Sequence, residues 1–285
     1  YNNKYGLPLS LINLKSNDNF GVFEVGMDKK GEIDYLTKIL KPDLGVITNI
    51  TYAHSKNFKN IDKIAEAKSE IIENIKSNGI LILNADDNFF NYHKRKALQK
   101  NLKVLSFSVK KKEATIRLYK IKKKKNFYKI FVKYKRLILP FYSKSNSVNF
   151  IQNLIASLLV ISNYFDIKLL PQKIFFDFKP PQGRGDISKI KIKKKLINLV
   201  DESYNSNPLS LKTALLNYER LKVKNSKKHV LLGDMLELGK HSLKQHRMMK
   251  SILNNLNISK VHIFGDYIKK TYEGLNQNKK GGTFK

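Results

Sequence analysis

The chain has 285 residues, enough for two domains that each bury a hydrophobic core. It contains no cysteine, which excludes disulfide bonds and thiolate metal sites, and no apolar run approaches the roughly 18 residues of a membrane span. The formal net charge of +32 suggests nucleic acid or an anionic surface as a partner. Nearly all the basic residues are lysines, however, whereas arginine is preferred for phosphate and base recognition, so we expect a lysine-rich solvated surface and no nucleic-acid partner.

The first half of the chain alternates strand and helix signals. Short apolar runs that end in polar residues predict strands over 20–25, 44–50 and 79–83, and amphipathic patterns predict helices over 31–40 and 61–75. This alternation is typical of an α/β fold with a parallel sheet covered by helices. Because parallel strands end at one edge of their sheet, the polar residues that follow these strands are expected to converge on a binding site.

The rest of the chain changes character twice. Residues 104–142 lack a helical period and partly alternate between polar and apolar, which predicts a β-hairpin insertion, and a helix is predicted over 148–161. Two prolines and two glycines within 180–185 predict a linker. Beyond it a second, smaller α/β unit is expected, and the tail from 276 to 285 carries no core signal. The predicted elements of this unit are strands over 196–200, 230–232 and 261–264 and helices near 209–221 and 242–253.

Lys68 is the most unusual residue of the predicted 61–75 helix. It lies in one helical stripe with four isoleucines spaced three and four residues apart, where an ammonium group is out of place. Either its stem lies on the core while the ammonium reaches water, or the amine is desolvated and its pKa is lowered. A neutral amine of the second kind can react with CO₂ to form a carbamate, which is an anionic metal ligand.

Other polar side chains lie at predicted strand ends, helix starts and the linker. Glu24 is a candidate ligand for a hard cation, or a surface carboxylate. His54 follows the next strand and is either a metal ligand or a loop histidine, and its place on the same predicted edge as Glu24 is the only local support for the first. Asn149, a plausible N-cap, and Asn153 open a predicted helix, where capping and ligand binding are both open. Arg184 lies between two glycines, where its guanidinium can reach a phosphate or solvent.

Two polar phrases in the second unit are the most specific motifs of the chain. Residues 201–208 contain Tyr-Asn-x-Asn-Pro, residues 232–239 contain Gly-Asp-Met-x-Glu-Leu-Gly, and each phrase follows a run that predicts a buried strand. Asn207 with the following proline suits the start of a helix. Capping does not need Asp201, Tyr204 or Asn205, and side chains this specific at a strand end more often carry chemistry than packing.

Taken in order, these motifs resemble the Mur ligases, ATP-dependent enzymes that form amide bonds on nucleotide-linked muramyl peptides. The similarity extends over nearly the whole chain, and the two phrases indicate the activity that adds D-alanyl-D-alanine to UDP-N-acetylmuramoyl-tripeptide. The resemblance implies a central ATP-binding domain over 1–182, an incomplete Rossmann-like C-terminal domain over 183–285, ATP and Mg²⁺ as cofactors, and a cytoplasmic monomer. The motifs that carry it are residues 1–9, 24–26, 31–33, 48–54, 67–71 and 84–87, the linker arginine and the two phrases.

The resemblance also implies roles for individual residues in forming an acyl phosphate that the incoming amine attacks. The implied catalytic residues are Lys68, His54 and Arg184. The implied metal ligands are Glu24, His54 and a carbamylated Lys68. Asn153 would contact the adenine of ATP, Arg184 its phosphates and Asp201 its ribose. The substrates would be bound near Asn2, Asn3, Tyr204 and Asn205.

The sequence departs from the family pattern at both ends. The Gly-rich phosphate loop and the uridine-nucleotide domain are not seen before residue 1, and the C-terminal domain stops short, so we expect a fragment that does not turn over alone. Three alternatives stay open: another Mur-type or folylpolyglutamate-type ligase with a different acceptor, a basic nucleic-acid-binding protein, and a non-catalytic paralogue that kept the scaffold.

Overall fold

The computed structural model describes residues 2–53, 55–193, 195–221 and 227–284. The chain forms two compact units, one made of Tyr1–Ile50 and Asn57–Asp177 and the other of Thr51–Lys56 and Phe178–Lys285. As a boundary between family domains, the division after residue 182 stays a prediction; the compact units themselves divide after residue 177. Within the described ranges, no helix has both the length and the apolarity needed to cross a lipid bilayer.

The first unit is built on a six-stranded sheet whose strands lie side by side in chain order. The first four strands pair in parallel and the last three form an antiparallel meander. The predicted parallel core and hairpins are therefore confirmed, but the hairpins extend the main sheet and do not form a separate one. The strands are β1 Leu44–Ile47, β2 Ile80–Asn84, β3 Lys103–Ser108, β4 Ile116–Lys123, β5 Tyr128–Tyr134 and β6 Leu137–Ser143.

Six helices accompany this sheet in the described part of the unit. Helix α6, Val148–Ile161, has the most buried side chains of the six, and its Leu154, Ile155 and Leu158 belong to one buried cluster with Ile82 and Phe107 of the sheet. Helix α5, Phe90–Gln99, is the crossover that lets β3 pair in parallel with β2, and it was not predicted from the sequence. The helices are α1 Gly6–Ile12, α2 Glu32–Leu40, α3 Ile61–Lys68, α4 Glu70–Asn74, α5 Phe90–Gln99 and α6 Val148–Ile161.

Three local predictions in this unit are wrong. Residues 20–25 form no strand, because no described strand lies beside them, and the adjoining Gly26 N–H is bonded instead to the Asn2 carbonyl at 2.7 Å. The 61–75 helix is divided at Ser69, whose hydroxyl donates to the Glu66 carbonyl at 2.6 Å. The N-cap of α6 is the serine before it, Ser147, whose hydroxyl accepts the Phe150 N–H at 3.3 Å, and not Asn149.

The second unit contains two separate sheets. An antiparallel hairpin of β7 Asp186–Ile192 and β8 Lys195–Asp201 precedes a parallel sheet in the order β11-β10-β9. Residues 196–200 therefore do not form a buried strand of the α/β sheet as predicted; they are exposed except Val200, which is half-buried. The tail, for which no core signal was predicted, contains the strand β11, Lys280–Phe284, which pairs with β10. The remaining elements are α7 Pro208–Arg220, β9 His229–Leu232, α8 Ser242–Asn255, β10 Lys260–Phe264, α9 Lys269–Glu273 and β11 Lys280–Phe284.

Candidate functional site

Polar side chains meet where β1 and β2 end, as the parallel sheet predicts. The Asn84 side chain donates from Nδ2 to Asn49 Oδ1 at 3.0 Å. The Lys68 ammonium donates to the backbone carbonyl of Asn49 at 3.2 Å. The last residue of α3 is thus attached to the carboxyl edge of the sheet, the edge at which α/β proteins bind ligands.

Lys68 is desolvated, which is the second of the two environments left open for it. Burial lowers the pKa of its amine, while the negative charges of Asp87 and Glu24 oppose this shift. A lysine with a lowered pKa yields its neutral, nucleophilic amine at a lower pH than a solvated lysine does. The site therefore combines a desolvated lysine with two nearby carboxylates.

Asp87 also belongs to this site, although it was predicted only as part of the 84–87 motif and not as a site residue. Its carboxylate accepts two backbone hydrogen bonds of 2.8 Å, from Ile50 N–H through Oδ2 and from Phe89 N–H through Oδ1. The signal that could have identified it is its position in a polar turn directly after a buried apolar strand. The carboxylate lies near Lys68 and fixes the backbone where β1 ends.

The first residues of the chain contribute to the same unit. Asn2 Nδ2 donates to Glu24 Oε1 at 3.0 Å, so a predicted substrate residue and a predicted metal ligand are in direct contact. Asn3 Oδ1 accepts the N–H groups of Tyr5 and Gly6 at 3.1 and 2.9 Å. The Asn3 side chain therefore fixes the start of α1, and its contact with substrate stays a prediction.

The donor groups fit a divalent cation in one specific manner. Mg²⁺ is usually held by one or two carboxylates together with substrate phosphates, not by a complete protein cage. Glu24 offers an exposed carboxylate, and a carbamate on Lys68 would supply a second anionic oxygen ligand. No group of three or more His, Cys, Asp or Glu side chains suited to a metal occurs among the described residues. His54, the third predicted ligand, lies outside them.

In the second unit Arg184 and Tyr204 form a stacked pair. The Arg184 guanidinium carbon lies 4.3 Å from the centroid of the Tyr204 ring, within the range of a cation–π interaction. The Tyr204 N–H donates to the Gly183 carbonyl at 3.1 Å. Gly183 has φ +74°, and a Cβ there would lie 2.9 Å from the Tyr204 nitrogen, so glycine is required for this approach.

The other predicted residues of the 201–208 phrase differ in role. Hydrogen bonding to Ser203 lowers the pKa of Asp201, whose Oδ1 accepts the Ser203 N–H at 2.9 Å. Asn205 is exposed. Asn207 is the N-cap of α7, as predicted, and forms a reciprocal capping box with Ser210. The start of α7 is therefore capped without Asp201 or Asn205.

The Gly-Asp-Met phrase is held by its own unit. Asp234 accepts the N–H groups of Asp266 and Ile268 at 3.0 and 2.7 Å. The Met235 N–H donates to Nε2 of His246, which is fully buried. Since Nε2 is an acceptor, Nδ1 carries the proton and donates to the Ser242 carbonyl at 2.8 Å. Here the specific side chains stabilise a loop, and the role of His246 was not predicted, because no local pattern marks it.

The predicted site residues thus form two groups. Asn2, Glu24 and Lys68 belong to the first unit, and Arg184 and Tyr204 to the second. Asn153 is exposed on α6, and no hydrogen bond within the described part of the chain joins it to either group. Its contact with adenine stays a prediction.

Comparison with known proteins gives a consistent result. Residues 1–161 match the Mur ligase middle domain. The UDP-N-acetylmuramoyl-tripeptide--D-alanyl-D-alanine ligase of Rickettsia prowazekii (strain Madrid E) is 31% identical over 281 residues, which cover 96% of this chain and 60% of the relative. The enzyme of the same name from Buchnera aphidicola subsp. Acyrthosiphon pisum (strain APS) is 31% identical over 287 residues, covering 98% and 60%.

Solved structures agree in fold. A crystal structure of MurF from Acinetobacter baumannii has a TM-score of 0.86 at 24% identity and covers 99% of this chain and 59% of its own. The MurF ligase of Thermotoga maritima in complex with ADP has a TM-score of 0.75 at 25% identity and covers 99% and 62%. The chain thus spans 60% of the length of both sequence relatives.

Proposed function

The chain belongs to the Mur ligase family, and on that premise we propose that the whole protein is an ATP-dependent ligase that adds D-alanyl-D-alanine to UDP-N-acetylmuramoyl-tripeptide. Two curated relatives that carry this name support the proposal, as does a MurF structure bound to ADP. The use of ATP and a nucleotide-linked precursor assigns the reaction to the cytoplasm.

The single observation that carries the proposal is the environment of Lys68. A desolvated amine, bonded to the Asn49 carbonyl and close to Glu24 and Asp87, lies at the carboxyl edge of a parallel sheet. A helix residue with only a packing role does not require an ammonium group there, since desolvating it costs free energy. A ligase that forms an acyl phosphate has a use for this group, because it must neutralise phosphate charge or bind the ion that does so.

The reaction follows from charge and proximity. ATP transfers its γ-phosphoryl group to the terminal carboxylate of the tripeptide, which gives an acyl phosphate and ADP. The amine of D-alanyl-D-alanine attacks the acyl carbon, the C–N bond forms, phosphate leaves and the amine loses a proton. When bound, Mg²⁺ neutralises phosphate charge, and Glu24, His54 and a carbamylated Lys68 are the residues that we propose hold it.

The remaining roles are divided between the two units. Arg184 would bind phosphate, for which the exposed guanidinium on its aromatic support is suited. Asp201 would accept a ribose hydroxyl through its carboxylate. Asn153 would contact adenine. The substrate residues in this proposal are Asn2, Asn3, Tyr204 and Asn205.

The direct test is ADP release by the complete polypeptide. We expect release that requires both UDP-N-acetylmuramoyl-tripeptide and D-alanyl-D-alanine, and a loss of at least about 100-fold in kcat for Lys68→Ala. Lys96→Ala is the matched control, because Lys96 also lies beside the α3–α4 break, where it donates to Ser69 Oγ at 3.0 Å. It should retain kcat within about threefold, because its partners are Ser69 and Glu73 and not the groups at the carboxyl edge of the sheet.

Other outcomes are equally informative. Turnover with a different amine in place of D-alanyl-D-alanine would indicate another ligase of the family. No ADP release under any combination of substrates would contradict the proposal and favour the non-catalytic alternative.

A further inference from the structure

The turn after β2 is attached by side chains to the strand on one side of it. Asn84 Nδ2 donates to Asn49 Oδ1 at 3.0 Å, and Ile50 N–H donates to Asp87 Oδ2 at 2.8 Å. Asn84 is only 3% exposed, so its amide is committed to protein partners. Together the two bonds hold Asn49 and Ile50, which lie just after β1.

The same turn is attached to the strand on its other side by an equivalent group. The Asp86 carboxylate accepts Ser108 Oγ at 2.6 Å and Val109 N–H at 2.8 Å, where β3 ends. Asp86 and Asp87 are therefore adjacent, half-buried carboxylates that each accept two hydrogen bonds. Of these two carboxylates, Asp87 is the one that leads to the candidate site, because the Ile50 N–H that it binds belongs to the same planar peptide group as the Asn49 carbonyl bonded to Lys68.

The orientation of the Asn84 amide is determined by its own turn. Its Oδ1 accepts the Asp86 N–H at 2.9 Å, which leaves Nδ2 to face Asn49. The chain of contacts then runs from Asn84 through Asn49 to the Lys68 ammonium. A displacement of about 1 Å at a reacting group can cost roughly 100-fold in rate, so a group that holds the backbone in place acts on the reaction without touching substrate.

We propose that Asn84 and Asp87 are positioning residues of the ligase reaction, which hold the Asn49–Ile50 segment just after β1 so that the Asn49 carbonyl fixes the Lys68 side chain. This inference rests on the proposed function, since Lys68 must act in the reaction for its placement to matter. Asn84 carries no charge, and so its effect is separable from the direct influence that the Asp87 carboxylate has on Lys68.

The experiment compares Asp87→Ala with Asp86→Ala in the complete polypeptide. Each variant removes one carboxylate and two hydrogen bonds from the same turn, so both should lower the melting temperature to a similar extent. We expect kcat for ADP release to fall about 100-fold in Asp87→Ala and less than about threefold in Asp86→Ala, with the KM for ATP within about threefold of the unmutated protein in both. A role confined to stability would not move kcat in one variant only.

A double-mutant cycle tests the uncharged half of the contact. Asn84→Ala and Asn49→Ala should each lower kcat by about 10-fold or more, and the double variant should lose no more than the worse of the two, because both remove one shared hydrogen bond. Losses that multiply would overturn the proposed connection.

Hydrogen exchange gives a readout that does not depend on activity. The Ile50 amide should exchange at least about 10-fold faster in Asp87→Ala than in the unmutated protein and Asp86→Ala. If the unmutated protein releases no ADP, the proposed function fails, and with it the catalytic part of this inference. If it is active and the Asp86 and Asp87 variants lose kcat equally, or the Ile50 exchange rates do not differ, the positioning role is wrong while the function stands.

Discussion

The Arg184 guanidinium carbon lies 4.3 Å from the ring centroid of Tyr204, which is itself 66% exposed. A tyrosine in this position can bind substrate, as the motif predicts, or support the arginine that binds phosphate. The two roles require different atoms, because support needs only the aromatic ring, whereas substrate recognition through the phenol needs the hydroxyl.

Replacing Tyr204 therefore separates the two roles. If the ring supports Arg184, Tyr204→Leu should raise the KM for ATP about two- to fivefold, which corresponds to the 0.5–1 kcal/mol typical of exposed cation–π pairs, while Tyr204→Phe keeps the unmutated value. Steady-state kinetics at saturating tripeptide and D-alanyl-D-alanine measure this. An equal rise in both variants would assign the function to the hydroxyl.

The buried histidine beside the α3–α4 break should make stability depend on pH. His93 Nε2 donates to the Ala65 carbonyl at 3.1 Å, and burial lowers the pKa of its ring. As the pH falls from about 6.5 towards the lower pKa of the folded state, the unfolded chain binds a proton at this ring that the folded protein does not bind. The free energy of unfolding therefore decreases over this pH range.

The variant His93→Gln should reveal that dependence. At pH 8 it should be less stable than the unmutated protein by about 1 kcal/mol, because a buried hydrogen bond is weakened. At pH 5.5 the difference should shrink, since only the unmutated protein suffers from the protonation of this ring in the unfolded state. Melting temperatures of both proteins at the two pH values test this, and a difference that is the same at both would contradict it.

Asn207 and Asn205 should differ in their effect on stability although they lie two residues apart. The side chain of Asn207 accepts the N–H groups of Leu209 and Ser210 at the start of α7, at 3.1 and 3.0 Å. Asn207→Ala should therefore lower the free energy of unfolding by about 1 kcal/mol. Asn205→Ala, at an exposed position, should change it by less than about 0.5 kcal/mol. Urea denaturation measures both, and equal losses would exclude capping as the main role of Asn207.

Two glycines of the second unit should respond differently to the same added methyl group. Gly265 and Gly185 both have positive φ, +118° and +89°, so an alanine is strained at either position by about 1–2 kcal/mol. A Cβ on Gly265 would lie 2.6 Å from the Asp234 carboxyl carbon, whereas on Gly185 its nearest neighbour would be the flexible end of Glu202 at 3.1 Å.

Gly265→Ala should therefore cost more than Gly185→Ala. The displaced Asp234 carboxylate would lose its two backbone hydrogen bonds, at about 1 kcal/mol each, in addition to the backbone strain. Urea denaturation curves of the two variants would show the difference of about 2 kcal/mol. Equal costs would mean that the loop around Gly265 moves freely enough to admit a side chain.

Local sequence patterns predicted the elements that have strong periods of their own. The bounds of α6 agree with the predicted 148–161 helix, and the isoleucine stripe identified the helix on which Lys68 lies. The convergence of strand ends followed from the parallel arrangement and is seen in the Asn84–Asn49 contact. These features depend on few residues, close together in the chain.

Features that depend on distant partners were not predictable in this way. Residues 20–25 have a strand-like composition, but no strand lies beside them in the described ranges. Residues 280–284 have a weak pattern but pair with β10. The roles of Asp87 and His246 rest on contacts with residues 37 and 11 positions away. A pattern within one segment contains no information about which backbone group from elsewhere will meet it.

The second unit is discontinuous, since it includes Thr51–Lys56, which the chain forms just after β1. The Lys56 N–H donates to the Glu237 carbonyl at 2.8 Å, and the backbone of Lys56 lies close enough to Gly239 to exclude a Cβ there. At roughly 5–20 residues per second of synthesis, Lys56 leaves the ribosome about 10–40 s before its partners do. On a growing chain the backbone of Lys56 therefore cannot make its contacts with Glu237 and Gly239 until those residues have been synthesised.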